Sequence, residues 1–228
     1  MGYQFRIVPV VEVSCRRCGG NYKTYEPAGV MQDLICPSCI QDAEAKGRAR
    51  EREKAFSKLC PPAMAATVLE KLPAWKDNQA SVSKALAWNP TPEKPILILH
   101  GVTGRGKSRL MWQVMKRLAV EQALPPVHFG AGELSLSVSS AWSDMKAEAL
   151  VHSLKSAKVL AFDDLDKDRL SPKAEEALFA VISHRCDHGK PTLITTNLTG
   201  EPLVARMSAE MGTALLRRLR EFSVTISP

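Results

Sequence analysis

The sequence has no uninterrupted apolar run near the roughly 18 to 20 residues that a bilayer-spanning helix requires. Its opening, MGYQFRIVPVVEVSC, lacks the basic, then apolar, then small-residue succession of a secretory leader. Both absences lead to the expectation of a cytoplasmic protein with no membrane partner. A polybasic tail is missing too: the net charge of +7, from 31 basic and 24 acidic residues, is spread along the chain. That excess fits nucleic acid as a partner without singling it out. There is no internal repeat and no low-complexity tract. Cysteine is sparse, with six residues, of which four form two Cys-x-x-Cys pairs. In a reducing compartment such pairs read as metal ligands and not as disulfides, which leaves Cys60 and Cys186 as free thiols.

What is present suffices for a core, since 45% of the 228 residues are hydrophobic. Residues 1–45 read as a small metal-binding module with β-prone pieces at 5–13 and 22–25 and a turn at 26–29. Residues 46–60 belong to a polar helix, expected from about Gln41 to Leu59, that ends at Pro61-Pro62. Residues 61–228 form the main domain. Past the irregular stretch around Pro90, Pro92 and Pro95, short apolar runs at 96–99, 127–129, 159–162 and 192–196, and a strand-like end at 223–226, alternate with helical segments. One helix runs from Ser108 to about Gln122, a helical stretch ends near Ser156, another spans 174–186, and a basic helix precedes the last strand. That alternation predicts an α/β fold with a parallel sheet covered by helices on both faces.

His100-Gly101-Val102-Thr103-Gly104-Arg105-Gly106-Lys107-Ser108 meets the G-x-x-x-x-G-K-[ST] pattern between a strand and a helix. Its glycines permit the backbone turns that point successive N–H groups at phosphate oxygens. The expected nucleotide-binding set is Gly101, Val102, Thr103, Gly104, Arg105, Gly106, Lys107, Ser108 and Arg109, with ATP as ligand. Lys107 would neutralise the β- and γ-phosphates, and Ser108 would hold Mg²⁺. Arg105 could face either phosphate or solvent. Val159-Leu160-Ala161-Phe162 runs into Asp163 and Asp164. In that setting Asp163 is expected near Mg²⁺ and Asp164 at the attacking water. Asp166 and Asp168 are expected to be exposed. Asn197, which ends a strand, could reach between γ-phosphate and water, although Asn is also an ordinary turn residue.

The pairs Cys15/Cys18 and Cys36/Cys39 have the spacing of a four-cysteine Zn²⁺ site. Four sulfurs would fill every position on the ion, so the zinc is expected to be structural and to supply folding energy to a module too small for its own core. Arg16, Arg17 and Lys23 could touch phosphate, but Glu12, Glu26 and Asp33 nearly cancel them, which favours protein docking.

Five segments, HGVTGRGKSRL, VLAFDDLDK, Ile182-Ser183-His184-Arg185, KPTLITTNLTG and ALLRRLREF, together resemble the AAA+ ATPases of the DnaC-type helicase loaders and the IstB-like transposition helpers. The resemblance covers about residues 60 to 228. It implies a P-loop AAA+ fold without a full C-terminal lid, beside a zinc-ribbon-like module. It also implies assembly-dependent ATP hydrolysis, self-assembly into an oligomer, and an arginine finger at Arg218, with Arg217 as its rival. A replicative hexameric helicase gripped by the N-terminal module, and single-stranded DNA, would be the partners. Lys167, Arg169 and Lys173 are candidates for the DNA-facing surface. A transposition helper would instead act with a transposase on duplex DNA. A small-molecule kinase would need a lid and acceptor-binding residues, and a non-hydrolysing adaptor would tolerate Lys107→Ala.

Overall fold

The structure is a computed structural model that describes residues 9–25, 34–130, 132–167 and 169–228. The beginning of the first β-prone piece, the turn at 26–29, Asp33 and Asp168 lie outside the described residues. The described residues up to Arg52 and those from Glu53 onward form two compact units.

In the first unit, strands β1 (Val10–Ser14) and β2 (Asn21–Tyr25) pair antiparallel, with Val10 opposite Tyr25 and Ser14 opposite Asn21. Glu12 stands across from Lys23, so opposite charges meet where the composition shows near-cancellation. Helix α1 (Pro37–Leu59) begins four residues before the expected Gln41. Pro37 has no N–H to lose in a first turn, and its fixed φ already suits a helix. The helix ends two residues before Pro61, as expected.

The second unit starts with α2 (Pro62–Ala65), a 3-10 turn at Leu69–Lys71, and α3 (Pro73–Leu86). The sequence pattern did not mark α3. Asn78 interrupts it with φ of −150°, and the Asn78 Oδ1 accepts from the Ser81 N–H at 3.2 Å to restart it. Then follow β3 (Ile96–His100), α4 (Lys107–Glu121), β4 (Pro126–Phe129), α5 (Glu133–Ser143), α6 (Ala147–Ser156) and β5 (Val159–Phe162). The single helical stretch expected to end near Ser156 is thus two helices, parted by Met145 with φ of 57°. The chain closes with α7 (Pro172–Asp187), β6 (Thr192–Thr196), α8 (Glu201–Val204), α9 (Ala209–Phe222) and β7 (Ser223–Ile226).

These last five strands form a wholly parallel sheet in the order β4-β5-β6-β3-β7. Alternation within each strand assigns the two faces. Leu97, Leu99, Val159, Ala161 and Leu193 pack with residues of α3 and α4, while Ile96, Ile98, Leu160, Phe162 and Ile194 pack with α5, α6, α7 and α9. The expected doubly covered sheet is therefore present. No helix among the described residues is long and apolar enough to cross a membrane.

Arg185, near the end of α7, is completely buried. Its guanidinium donates to the carbonyls of Leu154 (3.0 Å), Ala157 (2.8 Å) and Pro191 (2.5 Å) and to the Thr192 Oγ1 (2.8 Å). Those carbonyls lie at the C-terminal end of α6 and just before β6, so the cation also meets the negative end of a helix. Burial pulls its pKa down to about 10, and it stays charged at neutral pH. No carboxylate is needed, because each of the three guanidinium nitrogens has an acceptor. Arg185→Met fills similar volume but strands these carbonyls. It is expected to lower unfolding free energy by about 3 kcal/mol in urea denaturation. A loss below about 0.5 kcal/mol, typical of a surface change, would contradict this role.

Candidate functional site

The loop between β3 and α4 turns on three glycines of positive φ: Gly101 (144°), Gly104 (86°) and Gly106 (92°). Gly106 caps α4 in the left-handed region, where a side chain would be strained, and a Cβ there would stand 3.1 Å from Leu72. Lys107 follows, its side chain buried. Its ammonium donates to the carbonyls of Gly101 (2.7 Å) and Val102 (3.0 Å) and to the Asn197 Oδ1 (2.9 Å). Three donors meet three acceptors. Burial lowers its pKa, against the pull of Asp164, Asp166 and Asp163.

Asp163 joins the loop to the sheet. Its Oδ1 accepts from the Ser108 Oγ at 2.8 Å and from the Thr195 Oγ1 at 2.5 Å, while its backbone N–H donates to the Phe129 carbonyl at 2.8 Å. The His128 Nε2 stands 3.9 Å from the Asp163 Oδ2 and has no hydrogen-bond partner among the described residues. Burial works to raise the Asp163 carboxyl. The nearby His128 ring and the Thr195 and Ser108 hydroxyls outweigh it and hold the group below the usual carboxylate range. Asp164 differs: burial first, then the Asp163 charge, raises its pKa. It adopts φ of 53°, and its N–H donates to the Thr195 Oγ1 at 2.7 Å. A non-glycine residue held there is a strained element at the mouth of the site.

Asn197 is gripped from both sides. Its Oδ1 takes the Lys107 bond and one from the Thr103 Oγ1 at 3.3 Å. On the other side, the Asp166 Oδ1 accepts the Asn197 backbone N–H at 2.7 Å and the Asp166 Oδ2 accepts its Nδ2 at 3.2 Å. Asp166 is therefore buried, at 5% exposure, and not exposed as the polar alternation implied. Its environment comes from the turn, which folds the residue back under the end of β6. Thr195, Asp166 and His128 were all missed as site residues. The Thr195 signal was the strand register, Phe162 opposite Ile194, which carries the next residue of each strand together.

The remaining expected residues spread around this centre. Val102 is exposed at 70%. Arg105 pairs with Asp77 of α3, which turns it away from the loop's own glycines, and its carbonyl accepts from the Ala74 N–H at 3.3 Å. Arg109 donates to the Ala63 carbonyl and, at 3.2 Å, to the Thr67 Oγ1. Beside the loop lies a cavity of about 340 Å³ bounded by Ala66, Val68, Leu72, Pro73, Gly104 and Gly106. Arg218 sits on α9, paired with Asp187 at 3.1 Å and 5.7 Å from the Phe222 ring centre, whereas Arg217 is exposed. Lys167, Arg169 and Lys173 are exposed, the last 5.4 Å over Trp142.

In the first unit the Sγ atoms of Cys15, Cys18, Cys36 and Cys39 all lie within 4.8 Å of one another and could hold a metal ion. The Cys18 and Cys36 sulfurs are 3.8 Å apart, which matches the edge of about 3.8 Å for a tetrahedron with bonds of about 2.3 Å. The Cys36 N–H donates to the Cys15 sulfur at 3.3 Å. That bond draws the Cys15 thiol down to about 6, while the neighbouring sulfurs push Cys39 up to about 12. Cys60 and Cys186 are buried and free. Burial raises both thiols, Cys186 to about 11, so neither is a ready nucleophile.

The family model for IstB-like ATP binding protein matches residues 69–227. The phage-like element PBSX protein XkdC of Bacillus subtilis (strain 168) is 28% identical over 138 residues, which are 58% of this chain and 51% of that protein. The chain thus spans about half the length of this curated relative. The crystal structure of DnaI superposes with a TM-score of 0.58 at 18% identity, over 74% of this chain and 94% of that one. The DnaC helicase loader gives 0.57 at 20% identity, over 72% and 94%. AMPPCP-bound DnaA from Aquifex aeolicus gives 0.55 at 15% identity, over 72% and 49%. At such identities the likeness is one of fold.

The Asp163 environment predicts a pH signature. A carboxyl whose folded pKa is depressed stabilises above its ordinary range, and that contribution disappears as pH falls through the folded value. Thr195→Val is expected to cost about 1 to 3 kcal/mol at neutral pH, with a difference from the parent that narrows in acid. Denaturation at several pH values checks this; a difference independent of pH would contradict it.

Proposed function

This chain is a member of the IstB-like ATP binding protein family, and from that membership and the site's geometry we propose that it is an ATP-hydrolysing helicase loader. It is read as an AAA+ switch that binds a replicative hexameric helicase and single-stranded DNA in the cytoplasm. The observation that carries this reading is the meeting of Lys107, Ser108, Asp163 and Asn197 at the carboxyl end of the parallel sheet. Ligands of open α/β sheets bind at that edge.

The loop N–H groups and the start of α4 receive phosphate oxygens, and the Lys107 ammonium exchanges its loop carbonyls for them. Val68 and Leu72, beside the loop, suit an apolar base. Ser108 and Asp163 would hold Mg²⁺, which supplies charge neutralisation on the phosphate oxygens. The raised Asp164 carboxyl is the better base of the pair. In hydrolysis the water oxygen bonds to the γ-phosphorus as the bond to the β–γ bridging oxygen breaks. The water proton passes to Asp164 and then to solvent, and ADP and phosphate leave.

Arg218 completes the site from a neighbouring copy. Its pairing with Asp187 is partly exposed, and such pairs contribute under about 1 kcal/mol, so assembly can displace it. The four cysteines hold one structural Zn²⁺, and the unit they organise docks the helicase. Lys167, Arg169 and Lys173 offer positive charge to DNA. The family match also supports a second reading, a transposition helper that acts with a transposase on duplex DNA.

Three outcomes test the proposal. Under assembling conditions Arg218→Ala should lose at least about 100-fold in ATP turnover with nucleotide affinity kept, and turnover equal to the parent would refute a shared site. Metal analysis should find one zinc per chain, lost in Cys39→Ser together with protease resistance of the N-terminal unit; a metal-free but resistant parent would refute the zinc assignment. Purified from its host, the protein should bring down a hexameric helicase in an ATP-dependent manner. Recovery of a transposase in its place would reverse the ranking, and no ATP-dependent partner or single-stranded DNA binding would sink the loader reading.

A further inference from the structure

Asp166 has no part in the phosphate, metal or water roles assigned above, yet it is buried, charged and bonded to both the backbone and the carboxamide of Asn197. Its two oxygens take both the backbone N–H and the Nδ2 of Asn197. The opposite side of the same carboxamide faces two donors, the Lys107 ammonium and the Thr103 hydroxyl. We propose that Asp166 is a positioning residue that locks the Asn197 carboxamide with its carbonyl oxygen, and not its NH₂, toward the nucleotide.

The orientation follows from charge. A flipped amide would set its NH₂ against an ammonium and a hydroxyl donor, and its oxygen against a carboxylate. Two charge-assisted contacts would become repulsive. Without Asp166, one side of the amide would lose its discrimination, because neutral partners can donate or accept. The carboxylate remains ionised in spite of burial, since the Asn197 backbone N–H, the Thr196 hydroxyl and the Asn197 carboxamide draw its pKa below the ordinary value.

This rests on the ATPase reading and sharpens the part played by Asn197. A carbonyl oxygen is an acceptor: it repels a phosphate oxygen and attracts a water proton. Once Lys107 turns to phosphate, the Asn197 oxygen is left facing the attacking water, and it orients that water without gripping the γ-phosphate. The turn that carries Asp166 is itself held from outside the site. Arg206, between α8 and α9, donates to the Asp166 carbonyl at 2.6 Å and to the Lys167 carbonyl at 3.1 Å. The carboxylate is thereby anchored to the connection that leads into the finger-bearing helix.

The test uses the full chain with Asp166→Asn, Asn197→Ala, the double variant, and Lys107→Ala as the background control. Asp166→Asn should lower kcat roughly 10- to 100-fold, the effect of a misplaced reacting group, while KM for ATP stays within about twofold of the parent. In the Asn197→Ala background the same substitution should change kcat less than about twofold, because its target is gone. Unchanged kcat in Asp166→Asn, or equal losses with and without Asn197, would overturn the proposal, as would a rise in KM that parallels a fall in melting temperature. A second readout does not depend on turnover. In ¹⁵N NMR spectra, the Asn197 side-chain NH₂ pair, identified by its loss in Asn197→Ala, should show one hydrogen-bonded, exchange-protected proton that becomes unprotected in Asp166→Asn. If the parent hydrolyses no more ATP than Lys107→Ala, the ATPase reading fails, and the NH₂ signature alone decides whether Asp166 fixes the amide.

Discussion

Asp163 is the point on which the ATP-binding unit turns. A single half-buried carboxylate oxygen accepts from Ser108 at the start of α4 and from Thr195 at the end of β6. The backbone N–H of the same residue reaches the end of β4. These contacts require the strand order that the sheet has. With β6 lying between β5 and β3, the acid after β5 passes the end of β6 to meet the helix that follows β3. A swapped pair of strands would leave the half-buried carboxylate without its donors, at a free-energy cost.

The buried charges of this unit are resolved in three different ways. Arg185 has only carbonyl and hydroxyl acceptors and serves as a strut between α6 and β6. Lys107 has loop carbonyls, which phosphate oxygens would replace in the proposed nucleotide site. Asp166 has amide donors that only Asn197 provides. In the proposed reading the first serves stability, the second ligand binding, and the third orientation. That division separates residues whose loss unfolds the domain from those whose loss alters its chemistry.

Much of this was legible in the sequence, for identifiable reasons. The strands at 159–162 and 192–196 were found to the residue because strands covered on both faces read as unbroken apolar runs between turn signals. The glycine loop and the cysteine pairs are local: spacing alone brings Lys107 to a helix start and four sulfurs near one another. What stayed hidden depends on non-local geometry. Thr195 enters the site through register, Asp166 through a turn that folds back beneath β6, and Arg105 is drawn aside by an acid 28 residues earlier on α3. Helix α3 was missed since its pattern breaks at Asn78, where a side-chain bond restarts the helix. The early start of α1 reflects Pro37, whose missing N–H and fixed φ suit a helix's first turn.

In the proposed nucleotide site Ser108 and Asp163 form the metal half and the glycine loop the other. Calorimetric titration of the full chain with a non-hydrolysable ATP analogue, with and without Mg²⁺, in the parent and in Asp163→Asn, tests it most directly. Mg²⁺ is expected to strengthen binding about tenfold or more in the parent, and Asp163→Asn to abolish the gain while metal-free affinity is retained. Affinity indifferent to Mg²⁺ in the parent, or a gain undiminished in Asp163→Asn, would contradict it.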